Sequence, residues 1–341
     1  MAERGQRWVN RVWYDGSLWS IVLLPLSGLF AITVAVRRWL YRRKILSSTG
    51  PGVPVVVVGN LTVGGTGKTP VVVWLVDQLA RRGLRVGVAS RGYAGDPGTE
   101  PVLVDPQSDA ATVGDEPLLI ARRCKCPVAV HPDRVAAART VALQGVDLIV
   151  ADDALQHYRL ASDLRIVVVD GMRGFGNGHL LPAGPLREPR SRLTEVDWLL
   201  HNGEASTPVT DRLVPADRQL TFVLRALCFC RLSDGVEQSV SEWRGRRVHA
   251  VAAIGNPARF FVTLRELGLT VREYAVRDHA VVNPADIAED GDPVVMTEKD
   301  AVKFPAGSAH DAWYLKVAVD TQQDAGRLLD EIAALVMKPA T

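Results

Sequence analysis

An apolar run that leads into a glycine-rich loop and then an apolar helix constrains this chain most. The run Val53–Val58 is followed by GNLTVGGTGKTP, which ends at Pro70. Glycines let backbone N–H groups curl round phosphate oxygens, and the N-terminus of the following helix adds positive potential. We therefore predict a phosphate-binding loop in which Lys68 reaches the β- and γ-phosphates and Thr69 binds Mg²⁺. The residues predicted to hold the nucleotide are Gly64, Gly65, Thr66, Gly67, Lys68 and Thr69.

The loop departs at one position from the strict phosphate-binding pattern G-x-x-x-x-G-K-[ST]. That pattern has glycine at position 62, where this chain has Thr62. The strand–loop–helix context is the expected one, so nucleotide binding remains the favoured interpretation. The alternative is a glycine-rich turn that carries a surface lysine.

Further β-branched and apolar runs recur along the first two-thirds of the chain, and most are followed by a loop and a segment of helical periodicity. They are Arg85–Ala89, Val128–Val130, Asp147–Ala151, Leu164–Val169 and Val196–Leu200. Several are continuously apolar, which is typical of parallel strands that are covered on both faces. The alternation predicts an α/β class with a doubly wound, mostly parallel sheet, whose ligands bind beyond the carboxyl ends of the strands.

Aspartate residues, which can bind a metal ion or take part in catalysis, follow two of these runs. Asp152 and Asp153 come after VDLIVA, where a carboxylate can hold Mg²⁺ directly or through water. A pair of helix-capping residues is the alternative for these two aspartates. Asp170 precedes a long loop with four arginines, GMRGFGNGHLLPAGPLREPRSRL, which suits a mobile wall over an anionic substrate. A solvated connection is the alternative for that loop.

The C-terminal part predicts a second, smaller α/β domain. Residues 219–231 and 235–240 are predicted as a linking strand pair, and Val248–Ile254 as a strand before a helix that ends at Leu267. The predicted domain limits are 1–45, 46–215 and 216–341, and it stays open whether the final helix (321–337) returns to the first domain. The segment Thr297-Glu298-Lys299-Asp300 superficially resembles a guanine-reading T-K-x-D, but its lysine is one place late, so GTP is not inferred.

The N-terminal part is apolar and basic. Leu18–Val36 is nineteen residues long and carries no charge, and the first 44 residues hold eight Lys/Arg and two Asp/Glu. A helix of this length matches the hydrocarbon thickness of a bilayer, and the basic and aromatic residues that follow favour its interface. We predict a membrane anchor with the body in the cytoplasm, either spanning or surface-embedded. A buried helix is the alternative, whereas the arginine cluster after the apolar run argues against a cleaved signal peptide.

Composition narrows the remaining classes. Hydrophobic residues make up 47% of the chain and charged residues 23%, which excludes a disordered or collagen-like protein. Beyond residue 44 there are 32 basic and 36 acidic residues, so general nucleic-acid binding is not indicated.

The four cysteines form two C-x-C pairs, Cys124/Cys126 and Cys228/Cys230. Reduced thiols are favoured over a zinc site, because the usual two-residue spacers are missing.

Eight segments, taken in their order and spacing, resemble the tetraacyldisaccharide 4′-kinase (lipid A 4′-kinase) family. They are VVVVGNLTVGGTGKTP, SRGY, GDEP, DDALQH, GNGHLLPAGPLREP, IGNPARFF, RDHAVVNPAD and TEKDAVKF. The resemblance implies a P-loop kinase-like fold and transfer of the γ-phosphate of ATP to the 4′-hydroxyl of tetraacyldisaccharide 1-phosphate. It also implies an acylated disaccharide substrate at the cytoplasmic face of the inner membrane. It implies neither a nucleic-acid partner nor an obligate protein partner.

The resemblance assigns roles that residue patterns alone do not. Asp115 of GDEP is similar to the family's catalytic base and His279 of RDH to its partner, although GDEP by itself is equally typical of a helix start. Glu116 is similar to a metal-site carboxylate, as are Asp152 and Asp153. Tyr93 and Arg187 are similar to residues of the substrate or phosphate site.

One departure from the family pattern concerns the turn after the two aspartates. The family usually reads Asp-Asp-Gly-Phe-Gln-His, whereas this chain has Ala154 and Leu155. The shape of that turn is therefore open. Outside the family, the alternative function is a membrane-tethered P-loop NTPase switch or metallochaperone, which shares the P-loop and the two aspartates.

Overall fold

A long mixed β-sheet with helices packed on its faces runs through the protein. The computed structural model describes residues 2–92, 95, 98–203, 213–276, 287, 290–304 and 312–337. The helices in these ranges are α1 (Ala2–Tyr14), α2 (Leu18–Val22), α3 (Leu24–Arg42), α4 (Lys68–Arg81), α5 (Ala110–Val113), α6 (Asp115–Cys124), α7 (Arg134–Ala142), α8 (Pro257–Glu266), α9 (Glu298–Ala301) and α10 (Gly326–Met337). The strands are β1 (Val55–Gly59), β2 (Val86–Ser90), β3 (Val102–Leu103), β4 (Val128–Val130), β5 (Leu148–Asp152), β6 (Leu164–Asp170), β7 (Trp198–Asn202), β8 (Gln219–Arg231), β9 (Glu237–Ser239), β10 (Arg247–Ala252), β11 (Thr270–Ala275), β12 (Val294–Thr297) and β13 (Ala312–Thr321).

Strand β1 lies inside the sheet and is buried on both faces. It pairs in parallel with β5 on one side and with β6 on the other. Val56 and Val58 pack into the cluster that contains α4, while Val55 and Val57 pack into the opposite cluster. Because both faces are covered, the strand reads as a continuous run of valines rather than an alternating pattern. The predicted mostly parallel α/β sheet is confirmed.

The strand order is β11-β10-β12-β13-β8-β7-β6-β1-β5-β2-β4-β3, with β9 on the side of β8. Three pairings are antiparallel, namely β3 with β4, β8 with β9 and β8 with β13. Strand β1 pairs in parallel with β5 and β6, so its carboxyl end lies between theirs, and the order of the strands reverses at this point. In such a sheet, ligands bind where the strand order reverses.

The second α/β unit predicted from the sequence does not have a sheet of its own. Strand β8 pairs in parallel with β7 and antiparallel with β13, so one sheet is continuous across both halves. The apolar core is nevertheless divided, because Phe229, Trp243 and Trp313 belong to a cluster separate from those around β1. The domain limits at 45 and 215 remain a prediction.

The final helix α10 returns to the first half of the chain. Leu328, Leu329 and Ile332 are buried in the same cluster as the apolar face of α4. Arg82 after α4 also forms an ion pair with Asp330 of α10. The question that the sequence left open is thereby answered.

The prediction that Leu18–Val36 forms a single helix, as a membrane span would require, is wrong. The segment forms α2 and α3, which separate at Leu23, and Pro25 lies in the first turn of α3. Proline fits there because first-turn N–H groups have no intrahelical partner. Among the described residues, no helix has both the length and the apolar character that crossing a membrane requires.

Candidate active site

The glycine-rich loop between β1 and α4 is fixed by its backbone geometry. Gly67 has φ 94° and precedes the first residue of α4. A Cβ atom at Gly67 would lie 2.5 Å from Asn202 Nδ2, which donates to the carbonyl oxygen of Thr66 at 2.9 Å. Thr62, where the strict pattern has glycine, forms a bridge with Leu186 and is not among the described residues with positive φ. The loop thus needs no glycine at position 62.

Lys68 lies in a charged cluster and not on the surface. Its side chain is 11% exposed, and its Nζ is 3.6 Å from Asp153 Oδ1. Arg187 Nη1 donates to both carboxylate oxygens of Asp153, at 3.1 and 3.0 Å. Burial opposes ionisation of Asp153, but Lys68 and Arg187 outweigh it and lower its pKa to about 2. The alternative of a turn with a surface lysine does not fit these contacts.

Asp152 is the last residue of β5 and has a different environment. It is 1% exposed, and burial together with Glu116 and Asp153 raises its pKa to about 7. Its Oδ2 accepts from Ser90 Oγ at 3.4 Å, while Oδ1 has no hydrogen-bond partner within the described part of the chain. Residues 153–163 form turns rather than a helix, so the helix-capping alternative for the two aspartates is wrong.

Arg134, at the start of α7, is a buried cation beside these aspartates that sequence reasoning missed. It is 4% exposed, and its Nη2 donates to the carbonyl oxygen of Asp153 at 3.4 Å. Burial lowers the pKa of Arg134 to about 10, against the opposing effect of Asp152 and Asp153.

The turn of DDALQH accommodates its two unusual residues. The positive φ in this turn belongs to Asp153, at 46°, so Ala154 does not need the conformational freedom of glycine. Leu155 is 3% exposed and packs on β1, where a Cβ at Gly59 would lie 2.5 Å from Leu155 Cβ. Departure from the family pattern therefore leaves both carboxylates in place.

Asp115 and Glu116 begin α6 and face the C-terminal half of the chain. Asp115 is 3% exposed, and its Oδ1 accepts from the Glu116 amide at 2.9 Å. Its Oδ2 lies 3.8 Å from Lys303 Nζ and 3.9 Å from Lys299 Nζ. Lys299 also donates to Glu116 Oε1 at 2.9 Å. The two lysines were missed by sequence reasoning, although their spacing of four within TEKDAVKF places them on one helical face.

A second contact between the halves lies at the P-loop itself. A Cβ at Gly255 would lie 2.4 Å from the backbone nitrogen of Gly65. Arg173 donates to the carbonyl oxygen of Gly255 and to Asn256 Oδ1, both at 3.1 Å. Asn256 in turn donates to Asp170 Oδ2 at 3.3 Å. The IGNPARFF segment therefore packs on the glycine-rich loop, and both halves build one site.

The arginine-containing loop after β6, predicted as a mobile wall over the substrate, is hydrogen-bonded to the glycine-rich loop and to the N-terminal part. The backbone amide of Val63 donates to the carbonyl oxygen of Pro185 at 2.8 Å. The backbone amide of Arg187 donates to the carbonyl oxygen of Leu61 at 2.7 Å. The backbone amide of Asn177 also donates to the carbonyl oxygen of Trp13 at 2.9 Å. Backbone pairing next to the P-loop thus sets the position of Arg187.

Two predicted site residues, Tyr93 and His279, lie outside the described residues. Their assignments, and the predicted Asp115–His279 pair, stay predictions. The four cysteines are free thiols. Among the described residues, Cys228 and Cys230 lie close to Glu237 rather than to the other C-x-C pair, so a zinc site that joins both pairs is not formed.

Comparisons with known proteins agree over nearly the whole chain. A family model described as tetraacyldisaccharide-1-P 4′-kinase matches residues 19–334. The tetraacyldisaccharide 4′-kinase of Hahella chejuensis is 46% identical over 320 residues, 92% of each chain. That of Alkalilimnicola ehrlichii is 48% identical over 298 residues, 86% of this chain and 87% of its own. The crystal structure of "apo" form LpxK from Aquifex aeolicus in complex with ATP is 26% identical, with a TM-score of 0.75, and covers 94% of this chain and 100% of that chain.

Proposed function

The chain belongs to the tetraacyldisaccharide-1-phosphate 4′-kinase family, and from this we propose how its residues carry out phosphoryl transfer. The protein is an ATP-dependent phosphotransferase that transfers the γ-phosphate of ATP to the 4′-hydroxyl of a tetraacyldisaccharide 1-phosphate, a step of lipid A biosynthesis. One observation carries the assignment of the site. Lys68, Asp153 and Arg187 form a single charged cluster beside the glycine-rich loop, onto which the second half packs.

The loop and its cluster would bind the triphosphate. The amides of residues 64–67 and the N-terminus of α4 would receive phosphate oxygens, and Lys68 would stabilise the charge that spreads over the γ-phosphoryl group. Lys68 contacts Asp153 in this structure. We expect ATP to draw Lys68 away from that carboxylate, because the phosphates carry more negative charge.

The residues at the end of β5 fit a magnesium ion. Asp152 has a buried carboxylate oxygen without a partner in the described ranges, and its neighbours supply the hard oxygen ligands that Mg²⁺ prefers. The residues that would hold it are Thr69, Glu116, Asp152 and Asp153. A magnesium ion held there would supply positive charge against the phosphate groups of ATP. Glu116 also pairs with Lys299, whose Nζ lies 2.9 Å from Glu116 Oε1.

Asp115 would accept the proton of the attacking 4′-hydroxyl, with His279 orienting it. A sugar hydroxyl is a poor nucleophile at neutral pH, so alignment and proton removal both contribute to the rate. Asp115 is buried between the two halves and is the first residue of α6 rather than its N-cap, which is Gly114, so these observations support this role more than that of a helix cap. Tyr93 and Arg187 would contact the substrate or its phosphates.

The N-terminal helices would embed in the cytoplasmic surface of the inner membrane. Apolar side chains of α2 and α3 are more than half exposed, namely Leu18, Trp19, Ile21, Val22, Leu26, Leu29, Ile32, Val36 and Trp39. An exposed apolar patch of this size marks a membrane or protein interface. The Arg and Lys residues within 37–44 adjoin this patch and would attract anionic lipids. A membrane-bound position suits an enzyme whose acceptor is acylated.

The fate of labelled γ-phosphate tests the proposal. With ATP and tetraacyldisaccharide 1-phosphate, label should appear in the lipid, whereas a switch or metallochaperone NTPase would release inorganic phosphate. Asp115→Asn should bind ATP normally and lose label transfer by about 10²–10⁴-fold. Asp77→Asn is the matched control, because Asp77 is half exposed and pairs only with Arg81 on α4 in the described contacts. Normal transfer by Asp115→Asn would remove the base assignment.

A further inference from the structure

The TEKDAVKF segment has no role in the mechanism above, yet it reaches the site. Helix α9 is fixed at its start, where Thr297 Oγ1 accepts from the Asp300 amide at 3.2 Å. Asp300 Oδ2 accepts from Thr297 Oγ1 at 2.7 Å and from the Ala253 amide at 3.0 Å. These bonds tie α9 to the chain that leaves β10. Asp300 is therefore held rigidly in a buried position, 4% exposed.

Lys303 is a buried ammonium group that this carboxylate holds in place. Its side chain is 5% exposed, and its Nζ donates to Asp300 Oδ1 at 2.7 Å. A buried charge is tolerated only when it is paired and hydrogen-bonded. Among the contacts of the described residues, Asp115 is a second carboxylate at ion-pair distance, with its Oδ2 3.8 Å from Lys303 Nζ. Lys303 thus lies between one carboxylate that is fixed and one that is proposed to react.

The two oxygens of Asp115 have different partners. Oδ1 accepts from the Glu116 amide, while Oδ2 faces the ammonium groups of Lys303 and Lys299. Contacts on opposite oxygens restrict rotation of the carboxylate about its side-chain bond. Arg123 of α6 also binds Glu298 of α9 at 2.6 and 2.7 Å, so α6, which carries Asp115, is joined to the helix that precedes Lys303.

We propose that Lys303 is a positioning residue, which holds Asp115 in the orientation required to accept the proton of the 4′-hydroxyl. The proposal rests on the function proposed above. Lys303 would not touch the substrate, because its side chain is 5% exposed and its Nζ faces the carboxylates of Asp300 and Asp115. Its contribution is geometric, since a misplacement of about 1 Å in a catalytic group costs about 10²-fold in rate.

Kinetic comparison of single and double variants tests this role. Lys303→Met should lower kcat for transfer to the lipid by roughly 10- to 100-fold and leave the KM for ATP within about threefold. Lys303→Arg should recover part of the loss, because it restores a cation. Lys316→Met is the matched control: Lys316 pairs with Glu237 at 3.0 Å and has no contact with Asp115 among the described ion pairs, so its loss should leave kcat unchanged. If Lys303→Met does not accumulate as folded protein, Lys303→Gln makes the same test, because it keeps a donor for Asp300.

The double variant separates this proposal from the proposed function. In an Asp115→Asn background, Lys303→Met should cause little further loss, because the residue that it orients is already inactive. An equal loss in both backgrounds, or a rise in the KM for ATP without a change in kcat, would overturn the positioning role. Normal kcat in the Asp115→Asn variant alone would overturn the base assignment instead. Label released as inorganic phosphate by the unmodified protein would overturn the kinase function.

Discussion

Substitution of Gly255 by alanine should impair catalysis from the opposite half of the chain. The added Cβ would lie 2.4 Å from the Gly65 nitrogen and 3.2 Å from Gly64 C and Cα, whereas ordinary contacts begin at 3.4 Å. These are backbone atoms and cannot swing aside, so the loop and the IGNPARFF segment must separate by roughly 1 Å. Such overpacking costs about 1–3 kcal/mol of unfolding free energy. Displacement of the P-loop should lower kcat/KM for ATP by about 10²-fold.

The assay measures initial rates of lipid phosphorylation over a range of ATP concentrations, together with urea unfolding of the same samples. Gly50→Ala is the control, because the nearest atom to its added Cβ is Ala161 Cβ at 4.0 Å. This control should match the unmodified protein in rate. If Gly255→Ala keeps full kcat/KM and full stability, the second half does not pack on the P-loop as described, and the two-sided site is refuted.

Three further outcomes are expected. Lys68→Ala should lower turnover by roughly 10²–10³-fold without loss of folding by circular dichroism, and turnover within about threefold of normal would reject the P-loop assignment. Replacing exposed Ile21 and Ile32 together by serine should weaken binding to anionic vesicles in a sedimentation assay, whereas unchanged binding would place the membrane contact elsewhere. Ala154→Gly should lower the unfolding free energy by about 0.4–1 kcal/mol in urea titrations, since the positive φ is at Asp153. A gain in stability would show that position 154 prefers the glycine conformation.

Local patterns in the sequence located most of the elements that carry the site. The strand at 128–130 was predicted at its observed bounds, and β1, β5 and β6 were predicted within two residues. These strands are covered on both faces, so each gives a mainly apolar run, and those of β5 and β6 end at Asp152 and Asp170. Lys68 and the Asp152–Asp153 pair could therefore be predicted as neighbours, because the carboxyl ends of adjacent parallel strands meet at one edge of the sheet.

The break between α2 and α3 shows where a local pattern misleads. The uncharged run predicts one helix over 18–36. Hydropathy takes no account of Pro25, however, which an unbroken helix accepts only in its first turn and which lies in the first turn of α3. Contacts of the N-terminal part with the body were equally invisible, such as Ser27 Oγ donating to the carbonyl oxygen of Leu180 at 2.8 Å. The apolar run and its basic flank determined an exposed apolar surface beside basic residues, while tertiary contacts determined its shape.

The sequence by itself determined the α/β class, the glycine-rich loop and the carboxylates at the end of β5, because each depends on residues close together in the chain. Only the tertiary structure decided that one sheet joins both halves, that Gly255 packs on Gly65, and that Lys303 faces Asp115. These partners are separated by more than 180 residues of sequence. Spacing along the chain carries no information about such pairs, since the route of the backbone through β8 and β13 alone brings them together.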